Sequence, residues 1–316
     1  MRKVLLALVT GAFSLGAFAQ PGDTMSENKD GKMKGSWTRG GLLSLMVAQG
    51  SSANWASGAE RFSLSLNGYA NLFANKKWGR NAWDNSLDLS YGILNTSSFG
   101  LRKNDDRLDF ITKYSRQIKK NIYFATLFNF RTQFADGFDY SVTPKRRISD
   151  WFAPAYAVLG PGFEWKPNSW FSLFGSPVAA RTVLFTNKPY SYEFQGGLKP
   201  DGSTEIPLSS KYGVDPVRQV DFQLGAFVSM GVKKEIFKNV SVKSRFDVYS
   251  NYLQNTPLNL DVFWTNALVM KVNNWLNVTY NIDVIYDDDI KLFGPNRNAA
   301  RTQFRSMLGV GVATTL

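Results

Sequence analysis

Histidine and cysteine are both missing from this 316-residue chain, and that is the first constraint on its chemistry. Ser-His hydrolysis, His-dependent proteolysis and zinc sites built on imidazole or thiolate are therefore excluded unless a partner donates residues. Carboxylates remain. Asp105 and Asp106 adjoin, and two carboxyl groups could serve acid–base hydrolysis. At the start of a strand such a pair reads more simply as solvated loop charge. Asp287, Asp288 and Asp289 offer the hard oxygen ligands that calcium takes. They lack the alternating spacing and the glycine of a calcium loop, so a solvated acidic tip is the plainer reading. No glycine-rich phosphate cradle occurs. The sequence predicts no catalytic residue and no cofactor, with Asp287, Asp288 and Asp289 as the candidate ion ligands.

Charges set between apolar residues come next: Asp109, Lys113, Arg131, Arg181, Asp221, Lys243, Arg245, Asp247, Asp283 and Arg305. On strands that close into a barrel these positions face the lumen. They could line a pore and set its ion preference. Alternatively, Arg and Lys pair with Asp across a narrow lumen and fill it. The near balance of signs favours filling. A second set, Lys76, Lys77, Arg80, Lys119, Lys120, Lys166, Lys233, Lys234 and Lys238, falls at short turns and predicts a basic rim on one side. Such a rim attracts anionic lipid headgroups or docks an acidic partner protein, and position alone does not separate the two. Lys145, Arg146 and Arg147 form a basic cluster in a longer loop, suited to lipopolysaccharide phosphates.

The elements that must position these charges are strands. Phe304 to Leu316 puts Phe304, Ser306, Leu308, Val310, Val312 and Leu316 on one face and Arg305, Gly309, Gly311 and Thr315 on the other. A closed transmembrane barrel gives such a terminal strand a partner in the first strand, its apolar face on lipid and its small or polar face inward. The alternative is the last strand of a soluble sandwich. Upstream, the alternation recurs over Trp37–Ala48, Arg61–Ala74, Trp83–Leu94, Asp105–Ile118, Ile122–Phe134, Asp150–Trp165, Trp170–Phe185, Val217–Lys233, Val240–Leu253, Leu258–Val272 and Trp275–Tyr286. Long and short connections alternate between them, the longest being Thr186–Asp215. This predicts an all-β, antiparallel transmembrane β-barrel of about twelve strands, with short turns and both termini on the periplasmic side. Trp55 and Trp151 fall near the long loops, and Trp83, Trp165, Trp170 and Trp275 near the short turns, as two aromatic girdles would. Pro154, Pro161 and Pro177 remove ladder donors from two neighbouring strands, which opens the prospect of a lateral gap for lipid or hydrophobic ligands.

Residues 1–19 have the charged, apolar, small-residue order of a secretory signal, ending at Ala17-Phe18-Ala19. Residues 20–36 are polar and read as a flexible periplasmic segment, with Thr24 in a short Asp-Thr-Met pattern like that of O-glycosylation in Bacteroidota. The barrel then occupies 37–316. A net charge of +12 and a pI of 9.7 could suit nucleic acid, but export argues against it, so no nucleic-acid partner is expected. The mean hydropathy of −0.23 is compatible with a barrel, since half of each strand faces a polar lumen.

The segment Trp37-Thr38-Arg39-Gly40-Gly41, with Trp55-Ala56-Ser57-Gly58-Ala59-Glu60 and then Arg61-Phe62-Ser63-Leu64, resembles the opening of an uncharacterised Bacteroidota outer-membrane barrel family, domain of unknown function 3078. The resemblance implies that fold over most of the mature chain and an outer-membrane location in a Gram-negative bacterium. Gly58-Ala59 departs from the second glycine pair of the family, and Leu316 from the aromatic residue on which barrels commonly end. The expected partners are outer-membrane lipids, lipopolysaccharide, the barrel assembly machinery during biogenesis, and an acidic periplasmic or outer-membrane protein. The expected role is non-enzymatic: a structural or accessory subunit of an outer-membrane complex. A narrow solute channel, or transport of lipid through the wall, is the alternative.

Overall fold

The computed structural model describes residues 37–51, 61–140, 145–186, 198–253, 260–273, 275–291, 293 and 299–315. Twelve antiparallel strands close into one barrel: β1 (Trp37–Ser51), β2 (Phe62–Trp78), β3 (Asn81–Thr96), β4 (Gly100–Lys119), β5 (Ile122–Thr132), β8 (Ala155–Trp165), β9 (Phe171–Leu184), β10 (Val220–Phe237), β11 (Val240–Asn251), β12 (Leu260–Lys271), β13 (Leu276–Tyr286) and β14 (Gln303–Thr315). Between β5 and β8, the short strands β6 (Gly137–Asp139) and β7 (Arg146–Ser149) form a hairpin outside the ring. Barrel neighbours follow chain order, and β14 closes the ring on β1 as the terminal alternation predicts.

The pleat sorts the side chains. On β14, Phe304, Leu308, Val310 and Val312 are exposed on the outside, while Arg305 reaches inward to Asp105 and Asp283. Exposed apolar residues on a membrane barrel meet lipid, where no water penalty applies. Trp37 and Trp83 lie against each other at the short-turn end, with ring centroids 5.6 Å apart, and Trp165, Trp170 and Trp275 are exposed at that end. That is the girdle expected there. The signal segment, residues 20–36 with Thr24, and Trp55 with its surrounding motif lie outside the described residues.

Three expectations change. The connection expected as the loop Asn95–Asn104 is only Ser97-Ser98-Phe99, because Gly100 takes a φ of 65° and turns the chain there. Asp105 and Asp106 consequently sit within β4 rather than in a solvated loop. The strands also run further toward the short turns than expected: Lys76 and Lys77 belong to β2, Lys119 to β4, and Lys234 to β10. The expected lateral gap is the third. The β8–β9 register does slip between Leu159 and Phe163, around Pro161 and Pro177. However, the slip is packed shut. Ser176 Oγ donates to the Pro161 carbonyl at 2.7 Å, the Tyr252 hydroxyl to the Pro177 carbonyl at 2.9 Å, and a Cβ at Gly162 would lie 2.8 Å from the Gly175 carbonyl carbon.

Candidate functional site

The lumen is where the chemistry-bearing residues gather. On β4 alone, Asp105, Arg107, Asp109 and Lys113 share the inward parity and descend from the outer mouth toward the short turns. All four enter ion pairs with other walls of the barrel. In the first layer, Arg305 bonds Asp105 and Asp283, its Nε donating to Asp283 at 3.0 Å, and Arg107 reaches Asp283 from the far wall at 3.4 Å. In the second, Arg131 donates to Asp109 at 2.9 Å and to Asp247, while Arg245 donates to Asp247 at 2.9 Å and lies 3.5 Å from Asp109. Asn129 completes this layer, donating to Asp109 at 2.6 Å and accepting from Arg245 at 3.2 Å. Below it, Lys243 of β11 bonds both oxygens of Asp88 on β3, at 2.9 and 3.0 Å. These two strands stand half-way round the ring from each other, so one ion pair bridges the full lumen. Nearest the short turns, Lys113 bonds Glu164, and Lys166 bonds Glu164 at 3.1 Å and Asp84 at 3.3 Å. Burial alone would lower the Lys166 pKa, but Asp84 and Glu164 hold it above the usual value.

One flank of the lumen is apolar instead. Ala125, Leu127, Val158, Phe174, Ala179, Phe227 and Tyr249 pack together there, with the Phe174 and Phe227 rings 6.3 Å apart. Ion pairs and this cluster both project into the interior at the level of the strands' middle.

At the outer mouth one connection folds inward among the described residues. In the β9–β10 loop, a short 3-10 turn at Leu208–Tyr212 and the following Val214 pack with Ala153, Val183 and Phe185. The Thr186–Asp215 connection, the longest of the chain, thus lends these residues to the barrel's own core. Beneath this stopper, Arg181 bonds Asp261, which opens β12, and Asp287 at 2.8 Å. Burial, with the charge of Asp287, pushes the Tyr212 phenol up to about 12. Gln223 bonds Asp221 at 2.8 Å and Asp289 at 3.1 Å.

All ten predicted lumen charges therefore lie inside. Sequence reasoning missed Asp84, Asp88, Asp105, Arg107, Glu164 and Asp261, although the inward parity of β3 and β4 pointed to the first four. The acidic run is corrected too. Asp287 is 2% exposed rather than a solvated tip, and Asp287 and Asp289 join Asp261, not Asp288. Asp288 turns toward the Tyr286 hydroxyl and Lys291. Asp106 likewise bonds Lys103 at 2.7 Å and the backbone N–H groups of Phe134 and Ala135, whereas Asp105 bonds Arg305, so the two adjacent carboxylates are engaged by different partners.

The basic rim splits by face. Lys76 and Lys234 point outward over Trp rings, Lys76 5.7 Å from the Trp37 and Trp78 centroids and Lys234 4.8 Å from Trp170. Lys233 lies over Phe73 inside, Lys77 shares that inward parity, and Lys166 is held in the lumen. Arg80, Lys119, Lys120 and Lys238 remain exposed at the rim. The Lys145–Arg147 cluster is drawn into the hairpin: Arg146 pairs with Asp139 and Glu205, Arg147 with Asp150 at 2.8 Å, and Lys145 covers the Phe138 ring.

A closed antiparallel ring with an apolar exterior, a tryptophan girdle and a charged interior defines a transmembrane β-barrel of the outer-membrane type. Within it, residues 47–138 match the family model described as "Protein of unknown function (DUF3078)", from the end of β1 to β6, rather than most of the mature chain. No curated protein sequence matches the chain. Similar solved structures include the translocator domain of the autotransporter NalP from Neisseria meningitidis, 8% identical over 87% of this chain and 88% of that one, with a TM-score of 0.37. An outer-membrane channel from Pseudomonas putida F1 is 9% identical over 94% of this chain and 100% of its own, also with a TM-score of 0.37. The outer-membrane phospholipase A of Escherichia coli is 11% identical over 92% and 94%, with a TM-score of 0.33.

Proposed function

We propose that this chain is a closed-lumen barrel of a Gram-negative outer membrane, non-enzymatic, which acts through its rims as a structural or accessory subunit rather than as an open channel. The observation that carries this reading is the pairing of charges across the lumen, above all Lys243 with Asp88 and Arg107 with Asp283. Ion pairs that bridge opposite walls occupy the path a solute would take. The apolar flank around Phe174 and the inward-folded β9–β10 loop obstruct the same path. The non-enzymatic part rests on the lack of histidine and on the involvement of Asp105 and Asp106 in separate ion pairs.

In planar bilayers the purified barrel is expected to be silent. Steady single-channel steps from the wild type would overturn the closed-lumen reading. The contact role makes its own prediction. Reversing the exposed turn charges, as in Arg80→Glu/Lys120→Glu/Lys238→Glu, is expected to leave the barrel folded and release an acidic partner protein that survives gentle detergent extraction and moderate salt. Extraction of the wild-type barrel alone, with no stoichiometric companion by mass spectrometry, would sink that part and leave the basic rim to lipid headgroups.

A further inference from the structure

Three stretches of chain meet at the outer mouth: Asp261 at the start of β12, Asp287 and Asp289 just after β13, and Asp221 and Gln223 near the start of β10. One oxygen from each of Asp261, Asp287 and Asp289 lies within 4.8 Å of the other two. Oxygens that share one calcium, each at about 2.3–2.6 Å from the ion, lie no more than about 5 Å apart, a limit these three meet. Arg181 bonds the Oδ2 atoms of Asp261 and Asp287. Their Oδ1 atoms accept backbone N–H groups, from Asp288 at 3.1 Å and Asp289 at 2.9 Å, which aims both carboxylates and fixes the loop around them.

A second observation is independent of the carboxylates. Gln223 is 3% exposed, and its carboxamide abuts the cluster through the Nε2 bonds to Asp221 and Asp289. Its Oε1, on the same planar group, has no hydrogen-bond partner among the described residues. A buried acceptor without a partner is costly, and it is relieved by a donor or a cation. The carboxamide nitrogen is already spent on Asp221 and Asp289, so the oxygen beside it is open to a cation held by Asp289. Carboxylates and a side-chain carbonyl are also the ligand set that calcium selects over softer metals.

We infer that Asp261, Asp287, Asp289 and Gln223 form a binding site for one calcium-like divalent cation at the outer mouth of the lumen. An ion held there ties β10, β12 and the β13–β14 loop together. It also stiffens the stopper, because Gly213, which follows the 3-10 turn, lies directly against Asp289: a Cβ built on it would be 3.4 Å from the Asp289 Cβ. The inference stands on these side chains and does not depend on whether the lumen below conducts.

The test uses the full-length barrel refolded in a zwitterionic detergent, stripped with chelator and titrated with calcium chloride by calorimetry. One ion per barrel is expected to bind, with a rise in the unfolding temperature, and Asp289→Asn and Gln223→Leu are each expected to weaken binding at least tenfold. Terbium luminescence excited through Tyr212, Tyr249 and Tyr286 and quenched by calcium gives a second readout on the unaltered chain, should a variant refold poorly. No saturable uptake by the wild type up to about 10 mM calcium, beyond the 10⁻⁴–10⁻³ M range of extracellular calcium modules, would overturn the inference. So would terbium luminescence that calcium leaves unchanged, or binding equal in wild type and Asp289→Asn.

Discussion

Gly311→Val is expected to abolish the closed, heat-modifiable form of the barrel. The seam between first and last strands pairs only Leu42–Val47 with Val310–Thr315, whereas β1 pairs β2 along the whole of Trp37–Ser51. Gly311 sits in that seam opposite Met46. A Cβ there would lie 2.7 Å from the Leu45 carbonyl carbon and 2.8 Å from the Met46 Cα, and backbone atoms cannot rotate out of the way. A branched side chain must push the strands apart, and an open edge inside a bilayer leaves peptide groups with neither water nor partner. Overpacking of this kind costs about 3 kcal/mol or more, which lowers the closed fraction about a hundredfold. Gly309→Ala makes the milder contrast, since a Cβ at 309 meets only the side chain of Met46, whose Sδ at 2.5 Å and Cγ at 3.0 Å can swing away, leaving the backbone-fixed Met46 Cβ at 2.9 Å to be relieved by a small strand shift. Refolding into lipid vesicles, followed by unheated gel electrophoresis, should therefore show closed barrel for Gly309→Ala and almost none for Gly311→Val. Equal closure of both would mean that the seam is looser than the register implies.

Sequence periodicity revealed these glycines as inward-facing positions but not what they make room for. That limit recurs. Alternation assigns a residue to one of two faces, so the twelve strands, the closure of β14 on β1 and the inward placement of Arg131, Lys243, Arg245 and Asp247 were all legible. It carries no information about which inward residues meet across the ring. Lys243 finds Asp88 through closure of the barrel, at a sequence separation that no local pattern encodes. The basic rim went partly astray for a related reason. Lys76 and Lys77 looked like one cluster because they are adjacent in sequence, but once β2 extends to Trp78 the pleat sends adjacent residues to opposite faces. The reading of Asp105 and Asp106 as loop charge failed at one glycine: Gly100 makes a tight turn where polar composition suggested a loop. In the acidic run the geometry was not foreseeable, since Asp261 enters from another strand.

The second large effect concerns whether the lumen charges are buried or bathed in water. Arg131 lies at the centre of the lattice, bonded to Asp109 and Asp247, with its guanidinium carbon 4.6 Å from the Phe263 ring centroid. Its side chain is 14% exposed and those of its partners are 10% and 5% exposed. Arg131→Met removes one cation and leaves both carboxylates to share Arg245. In a filled lumen that strands buried negative charge, and the expected loss is about 3–5 kcal/mol of unfolding free energy. In a hydrated pore the same ion pairs would be screened, and the loss would be no more than about 1 kcal/mol. Urea unfolding from lipid vesicles separates the two. The compensating variant Arg131→Met/Asp247→Asn sharpens the test, because it removes a charge of each sign and keeps the shape that accepts the Ser229 hydroxyl, now 2.6 Å from Asp247. Replacing a buried pair by neutral groups of similar size is often close to neutral, so the double variant is expected to recover most of the loss. Recovery identifies the stranded carboxylate as the cause. A large loss that persists in the double variant would instead assign Arg131's contribution to its packing on Phe263.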